Sequence, residues 1–324
     1  MKKLVVILFL MAAGRAGLAQ TITATGTVKG EAGQELHYAF VQDKVTKNAT
    51  YTDSLGRFNL IVAPGSQLMV SANGFKDALI DVGTQKTFDI VLKADPSASA
   101  APKSENLAKV EEAFKTDHER LPGQSIGPSG TAVFMSVKET VGSRFLFNRW
   151  VHGFIIKTDG NILQNSTLLL NYDKMGGDLY LTENMSSVMV GDKNTIRSFV
   201  LFGPGDQVFT FEKMTGISND LYCQVISAGS KYKIYKLMKT KFVPSNFKSD
   251  GIASTGNTYD EYADDTSYYV LNLTTTVFQP LNLKKKSITQ VFSGEGDKVS
   301  TYLASHNGKI DDNYLKSLGD AMNQ

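Results

Sequence analysis

The stretch densest in chemically capable side chains is Tyr259-Asp260-Glu261-Tyr262-Ala263-Asp264-Asp265, inside a polar insertion from Ser249 to Thr266. Carboxylates this close together suit calcium, a hard cation that takes oxygen ligands. Their spacing departs from the EF-hand loop, and no glycine stands at its sharp-turn position. The segment therefore reads as a solvated hairpin tip, with Tyr259, Asp260, Glu261, Tyr262, Asp264 and Asp265 as a ligand-contact loop and no metal assigned. Paired carboxylates of a glycoside hydrolase would look the same in sequence, because the fold sets their separation.

Other reactive types are scattered. Gly123-Gln124-Ser125-Ile126-Gly127 matches the G-x-S-x-G nucleophile elbow, which requires a strand before the serine and a helix after it. Here Leu121-Pro122 precedes it and Pro128-Ser129-Gly130 follows, so the match is a coil coincidence. Cys223 is the only cysteine, which rules out an intramolecular disulfide. It sits in an apolar strand with no His, Lys or Arg close in sequence, and so reads as a packed core thiol. His37, His118, His152 and His306 are far apart, and none begins an H-x-x-E or H-E-x-x-H zinc motif. No catalytic residue, cofactor or metal is assigned.

Thirty-four basic and 32 acidic residues spread along the chain leave a net charge of +2, which gives no electrostatic footprint for nucleic acid. The densest basic run, Lys284-Lys285-Lys286, reads as the solvated start of a helix. With 42% hydrophobic composition, the 324 residues can build two cores.

The elements that would carry these groups are mainly β, α+β overall. Residues 1–19 have the form of a secretory signal: Lys2 and Lys3, the apolar run Leu4 to Ala13, and small residues at Gly17 and Ala19, with cleavage expected after Ala19. The apolar run falls short of the roughly 20 residues that span a bilayer as a helix. No cysteine near the cut argues for a lipoprotein. The expected mature chain has no transmembrane segment and lies in the periplasm, against the outer membrane or outside the cell.

Residues 20–94 alternate with the period of strands: Phe58, Leu60 and Val62; Leu68, Val70 and Ala72; Phe88, Ile90 and Leu92. Asp53 to Gly56, Pro64-Gly65 and Asn73-Gly74 supply the turns. A seven-stranded type of β-sandwich is expected. Residues 95–130 form a linker, with the low-complexity Pro96 to Pro102 and a short amphipathic helix from Ser104 to His118 marked by Leu107, Val110 and Phe114.

Residues 131–324 read as an antiparallel meander with hairpins throughout, folded as a curled sheet, partial barrel or second sandwich, and ending in helices. The first helix is expected from Ser287 to Phe292, the second capped by Asp297 and stopped at Asn307-Gly308. Asp311 should cap the third, with Tyr314, Leu318 and Met322 packed on the sheet.

Gly26-Thr27-Val28, Thr52-Asp53, Gly56-Arg57-Phe58, Pro64-Gly65 and the block Leu68 to Phe75 together resemble the carboxypeptidase-regulatory-like domain, a transthyretin-type sandwich. The resemblance implies a binding or spacing module and no peptidase activity. Similar domains stand at the front of outer-membrane nutrient receptors of Gram-negative bacteria and in some carbohydrate-processing proteins. From Gly142 to Asn323 the chain resembles a family of uncharacterised exported bacterial proteins. That likeness is carried by Phe145 to Trp150, Leu170-Asn171-Tyr172-Asp173, Ile196-Arg197-Ser198-Phe199, Tyr268-Tyr269-Val270-Leu271 and the helical end. It implies a meander, a tyrosine-rich strand pair and terminal helices, but no activity.

The expectation is an exported, non-catalytic binding or envelope-associated protein that recognises a glycan, a peptide or an outer-membrane partner. A hydrolase of envelope or dietary polysaccharide and a structural subunit of an envelope complex are the alternatives. Aromatic residues make up 10% of the chain and could stack on sugars, but β domains of this size need most of their rings in the core.

Overall fold

The computed structural model describes residues 21–97, 140–164, 167–183, 187–214, 218–249 and 254–324. The signal segment 1–19, the helix expected over 104–118 and the Gly123 to Gly127 motif lie outside those residues. The chain divides into two compact units, Met1–Ala98 and Ser99–Gln324.

The first unit is a seven-stranded sandwich. One sheet has the order β4-β1-β7, built from β1 (Ile22–Gly30), β4 (Arg57–Val62) and β7 (Thr87–Leu92). The other runs β3-β2-β5-β6, from β2 (Phe40–Asp43), β3 (Ala49–Tyr51), β5 (Gln67–Ser71) and β6 (Ala78–Asp81). Alternate residues face inward, as the period-2 pattern requires. Phe58, Leu60, Val62, Leu68, Val70, Phe88, Ile90 and Leu92 are all buried in one core, with Ala72 at its margin. Strand β1 lies parallel to β7 and pairs Gly26 with Phe88. A Cβ at Gly26 would run into the Phe88 carbonyl, so glycine is what lets these strands approach.

The expected turns are present. Asp53 Oδ1 accepts from the backbone N–H of Leu55 at 2.9 Å and of Arg57 at 2.8 Å, while Gly56 takes φ +69°. Asp43 closes the β2–β3 connection differently. Its carboxylate is fully buried and accepts from Val45 N–H at 3.1 Å, Thr46 Oγ1–H at 2.7 Å and Ala63 N–H at 2.8 Å.

The second unit holds a sheet with the path β13-β12-β11-β9-β14-β15-β16-β17-β20-β21. Its strands are β8 (Thr140–Val141), β9 (Val151–Lys157), β10 (Ile162–Leu163), β11 (Leu169–Asp173), β12 (Asp178–Thr182), β13 (Met189–Val190), β14 (Ile196–Phe202), β15 (Val208–Met214), β16 (Ser218–Ala228), β17 (Tyr232–Val243), β20 (Asp260–Asn272) and β21 (Val277–Leu281). Between β17 and β20, β18 (Lys248–Ser249) and β19 (Ser254–Thr255) form a separate two-stranded ribbon.

Hairpin topology, expected throughout, holds for β9 to β10, β11 to β13, β14 to β17 and β20 to β21, but β9 also takes the later strand β14 as a neighbour, and β8 pairs outside any hairpin. Strand β9 lies between β11 and β14, pairing His152 with Leu169 on one side and Ile155 with Phe199 on the other. Phe154 and Ile155 point to opposite faces, and both are buried. A strand buried on both faces belongs in the middle of a sheet, so later strands fill both of its sides. Strand β8 pairs parallel with β20, and Phe145 bridges to Asp173 on β11. This short segment brings two distant parts of the path together and curls the sheet around Tyr172, Phe199, Phe211 and Tyr222.

Helices α1 (Lys285–Val291), α2 (Gly296–Ser305) and α3 (Asp312–Asn323) cover the other end, where Ile288, Phe292, Val299, Leu315 and Leu318 pack with Ile234, Val270 and Leu281. Tyr314, Leu318 and Met322 are all buried against the sheet, as their spacing predicts. Asp311 caps α3 by accepting from Tyr314 N–H at 3.0 Å. Asp297 does not cap α2: the helix begins one residue earlier, and Glu295 stands at the N-cap position with its carboxylate 3.1 Å from Lys231 Nζ. Helix α1 begins at Lys285 instead of Ser287, whose Oγ accepts from Asn282 N–H. The described residues include no helix long and apolar enough to cross a membrane.

Candidate functional site

The acidic stretch expected at a hairpin tip is instead the first half of the longest described strand. Of the named residues only Tyr259 lies before β20; Asp260, Glu261, Tyr262, Asp264 and Asp265 lie within it. The register with β17 runs unbroken from Tyr232↔Asn272 to Val243↔Glu261. Two features outweigh the solvated-loop reading of so many charges. Tyr262 is buried with its ring centroid 5.3 Å from that of Phe242, and Asp265 lies across from Lys239.

Strand geometry then separates the acids. Asp260, Tyr262 and Asp264 point to one face, Glu261 and Asp265 to the other. They do not converge, and among the described residues no group of three or more His, Cys, Asp or Glu side chains could hold a metal ion.

One acid of this face, Asp264, joins a longer polar strip. Asp264 accepts two bonds from Lys174 Nζ, at 2.7 and 3.0 Å, and one from the Thr240 hydroxyl. Farther along the same strands, Lys236 Nζ lies 2.6 Å from Asp312 Oδ2, and Tyr268 donates its phenol proton to Asp312 Oδ1 at 2.7 Å. The Lys236 ammonium also sits 5.9 Å from the centroid of the Tyr268 ring. Asp260 works at the opposite end, accepting from Ser245 N–H at 2.6 Å to hold the base of the β18–β19 ribbon.

Burial raises the Asp264 carboxyl, but the bonds from Lys174 and Thr240 and the charges of Lys174 and Lys236 outweigh it and hold the group below the usual carboxylate range. Burial, then the bond to Asp312 and its negative charge, pushes the Tyr268 phenol upward, so it stays a proton donor. The strip ties the β11–β12 turn and α3 to the sheet. Lys174, Lys236, Tyr268 and Asp312 carry no sequence signal for this role. Their partners are 44 to 90 residues away in the chain.

Cys223 is buried, and burial pushes its thiol up to about 12, with Lys239 pulling weakly the other way. It is protonated at neutral pH and unsuited to nucleophilic attack. His306 stacks on Tyr302 at 4.0 Å, its Nδ1 near Ser305 Oγ and the Tyr302 carbonyl at the end of α2. His37 stacks on Tyr38 at 3.6 Å in the first unit. The Ser305 hydroxyl, 3.0 Å from His306 Nδ1, is exposed and also bonds the Thr301 and Tyr302 carbonyls, so this contact ties the end of α2. Lys285 spans to Leu303 O and Asn307 Oδ1, which makes the basic run a helix-start tie.

No protein-family model matches the chain. A stretch of 72 residues is 36% identical to TonB-dependent receptor P39 of Formosa agariphila; it covers 22% of this chain and 7% of that protein's length.

Proposed function

We propose that this is an exported, envelope-associated protein that binds a partner and catalyses no reaction, with the first unit as a carboxypeptidase-regulatory-like binding or spacing module. The observation that carries the reading is the 72-residue match to a TonB-dependent receptor. The sandwich architecture and the turn residues Asp53, Gly56 and Gly74 fit the same resemblance. In the second unit, the pairing of Asp264 with Lys174 and of Lys236 with Asp312, and the protonated state of Cys223, favour binding over chemistry. The partner is a glycan, a peptide or an outer-membrane protein.

Fractionation of the native cells, followed by crosslinking and pull-down, tests this. The expected result is a chain shortened by its first 19 residues, recovered with the envelope at constant stoichiometry to one partner. A full-length chain recovered in the cytosol would sink the reading.

A further inference from the structure

Strand β20 is paired along its whole length on one side only. Strand β17 occupies that side from Glu261 to Asn272. On the other side, β8 covers Asp260 and Glu261, and β21 covers Tyr268 to Asn272. Gly142, next after β8, lies against the Tyr262 carbonyl, and from Ala263 to Ser267 no described strand pairs with this edge. The β17–β20 register passes through the interval without a bulge, and Asp264, Asp265 and Thr266 are exposed to solvent. A straight, solvent-facing run of backbone N–H and C=O groups is a template for another strand.

The other edges of the sheet suit this less well: β13 has two residues, and Pro280 removes an N–H from β21. Charged side chains on an edge commonly serve to keep strands off, and here they repel a second copy of the same acidic edge. They do not repel a strand that carries cations. Asp264 is already held by Lys174 and Thr240, while Asp265 on the opposite face has Lys239 on its β17 side and no described strand on its other side. Opposite charges across neighbouring strands are mutually stabilising. The acids alone would not make a site; the unpaired backbone between two strands that already use this edge does.

We propose that the open edge of β20 between β8 and β21 is a docking site for a short extended segment of a partner protein, bearing lysine or arginine, which adds to the sheet as a strand. The inference goes beyond the envelope reading and fails separately from it, since it concerns the edge whatever compartment the chain occupies.

The test uses the purified full chain and three capped peptides. One alternates lysine with threonine, one has glutamate in place of lysine, and one is the lysine peptide with alternate amides N-methylated. The lysine peptide is expected to bind roughly ten-fold or more tighter than the glutamate peptide and to slow amide exchange across Ala263 to Ser267 by a similar factor. N-methylation should abolish both effects, and Asp265→Lys should reverse the charge preference. Equal binding of the N-methylated peptide would reduce the site to charge attraction and overturn the proposal. So would the absence of binding, or unchanged exchange across Ala263 to Ser267. Concentration-dependent protection of those amides without peptide would assign the edge to a second copy of this chain and overturn it as well.

Discussion

The two units use carboxylates in opposite ways. In the first, Asp43 and Asp53 close turns made of their own neighbours: Asp53 bonds two and four residues ahead, and most of the Asp43 bonds are to Val45 and Thr46. In the second, Asp264 and Asp312 hold together pieces of chain far apart in sequence, the β11–β12 turn and α3 to β17 and β20. A local bond forms as soon as the turn does and fixes its shape. A long-range pair forms only after the sheet has curled, and it fixes how pieces already folded meet. The contrast predicts that removing a turn carboxylate damages one unit deeply, whereas removing a strip carboxylate loosens an attachment.

The largest effect should follow Asp43→Ala, which leaves buried N–H and hydroxyl donors without an acceptor and should cost about 3 kcal/mol. The chain's single tryptophan, Trp150, lies in the second unit. Denaturant unfolding followed by tryptophan fluorescence should therefore be unchanged, while circular dichroism shows an earlier transition. A shift of both probes together would mean that the units do not unfold separately.

Acid should weaken both units by one mechanism. Burial raises the Asp43 carboxyl, but hydrogen bonds, among them those of Thr46, Ala63 and Val45, bring it below its usual range; Asp264 is also lowered. A carboxyl lowered by folding adds stability that is fully present above its unfolded pKa, about 3.9, and is lost as pH falls through the lower folded value. Stability measured downward from pH 6 should therefore fall below about pH 4, and Asp43→Ala should flatten the acid limb of the first unit only.

Asp53→Ala should cost about 1 kcal/mol, since its turn is exposed and Gly56 still supplies the left-handed residue. The smallest effect should be the coupling of Lys236 and Asp312. A double-mutant cycle with Lys236→Met and Asp312→Asn should return roughly 0.5 to 1 kcal/mol for this partly exposed pair. A coupling of several kcal/mol would show that the strip is a folding determinant of the second unit, contrary to the contrast drawn here.

Much of the architecture was legible wherever the signal is local. The alternation of Phe58, Leu60 and Val62 set a strand and its buried face, Asp53 to Gly56 set a turn, and Asp311 set the start of α3. Asp297 misled because capping depends on where the first helical bond closes. Glu295, drawn to Lys231, stands one residue before that point. The candidate site was the least legible part. The acid density of Asp260 to Asp265 suggested solvent, and only pairing with β17 shows a strand whose charges alternate between two faces.

By itself the sequence determined the period of each segment, the side chains that must be buried and the turns that glycine and aspartate close, because those depend on neighbours a few residues away. Tertiary structure decided that β9 lies between β11 and β14, that Lys174 and Asp312 reach the β17–β20 pair, and that no described strand pairs with part of the β20 edge. Each of these outcomes depends on which distant segment fills a neighbouring position. Strand pairing through the backbone is nearly indifferent to sequence, so packing chooses among partners that the chain order leaves undecided.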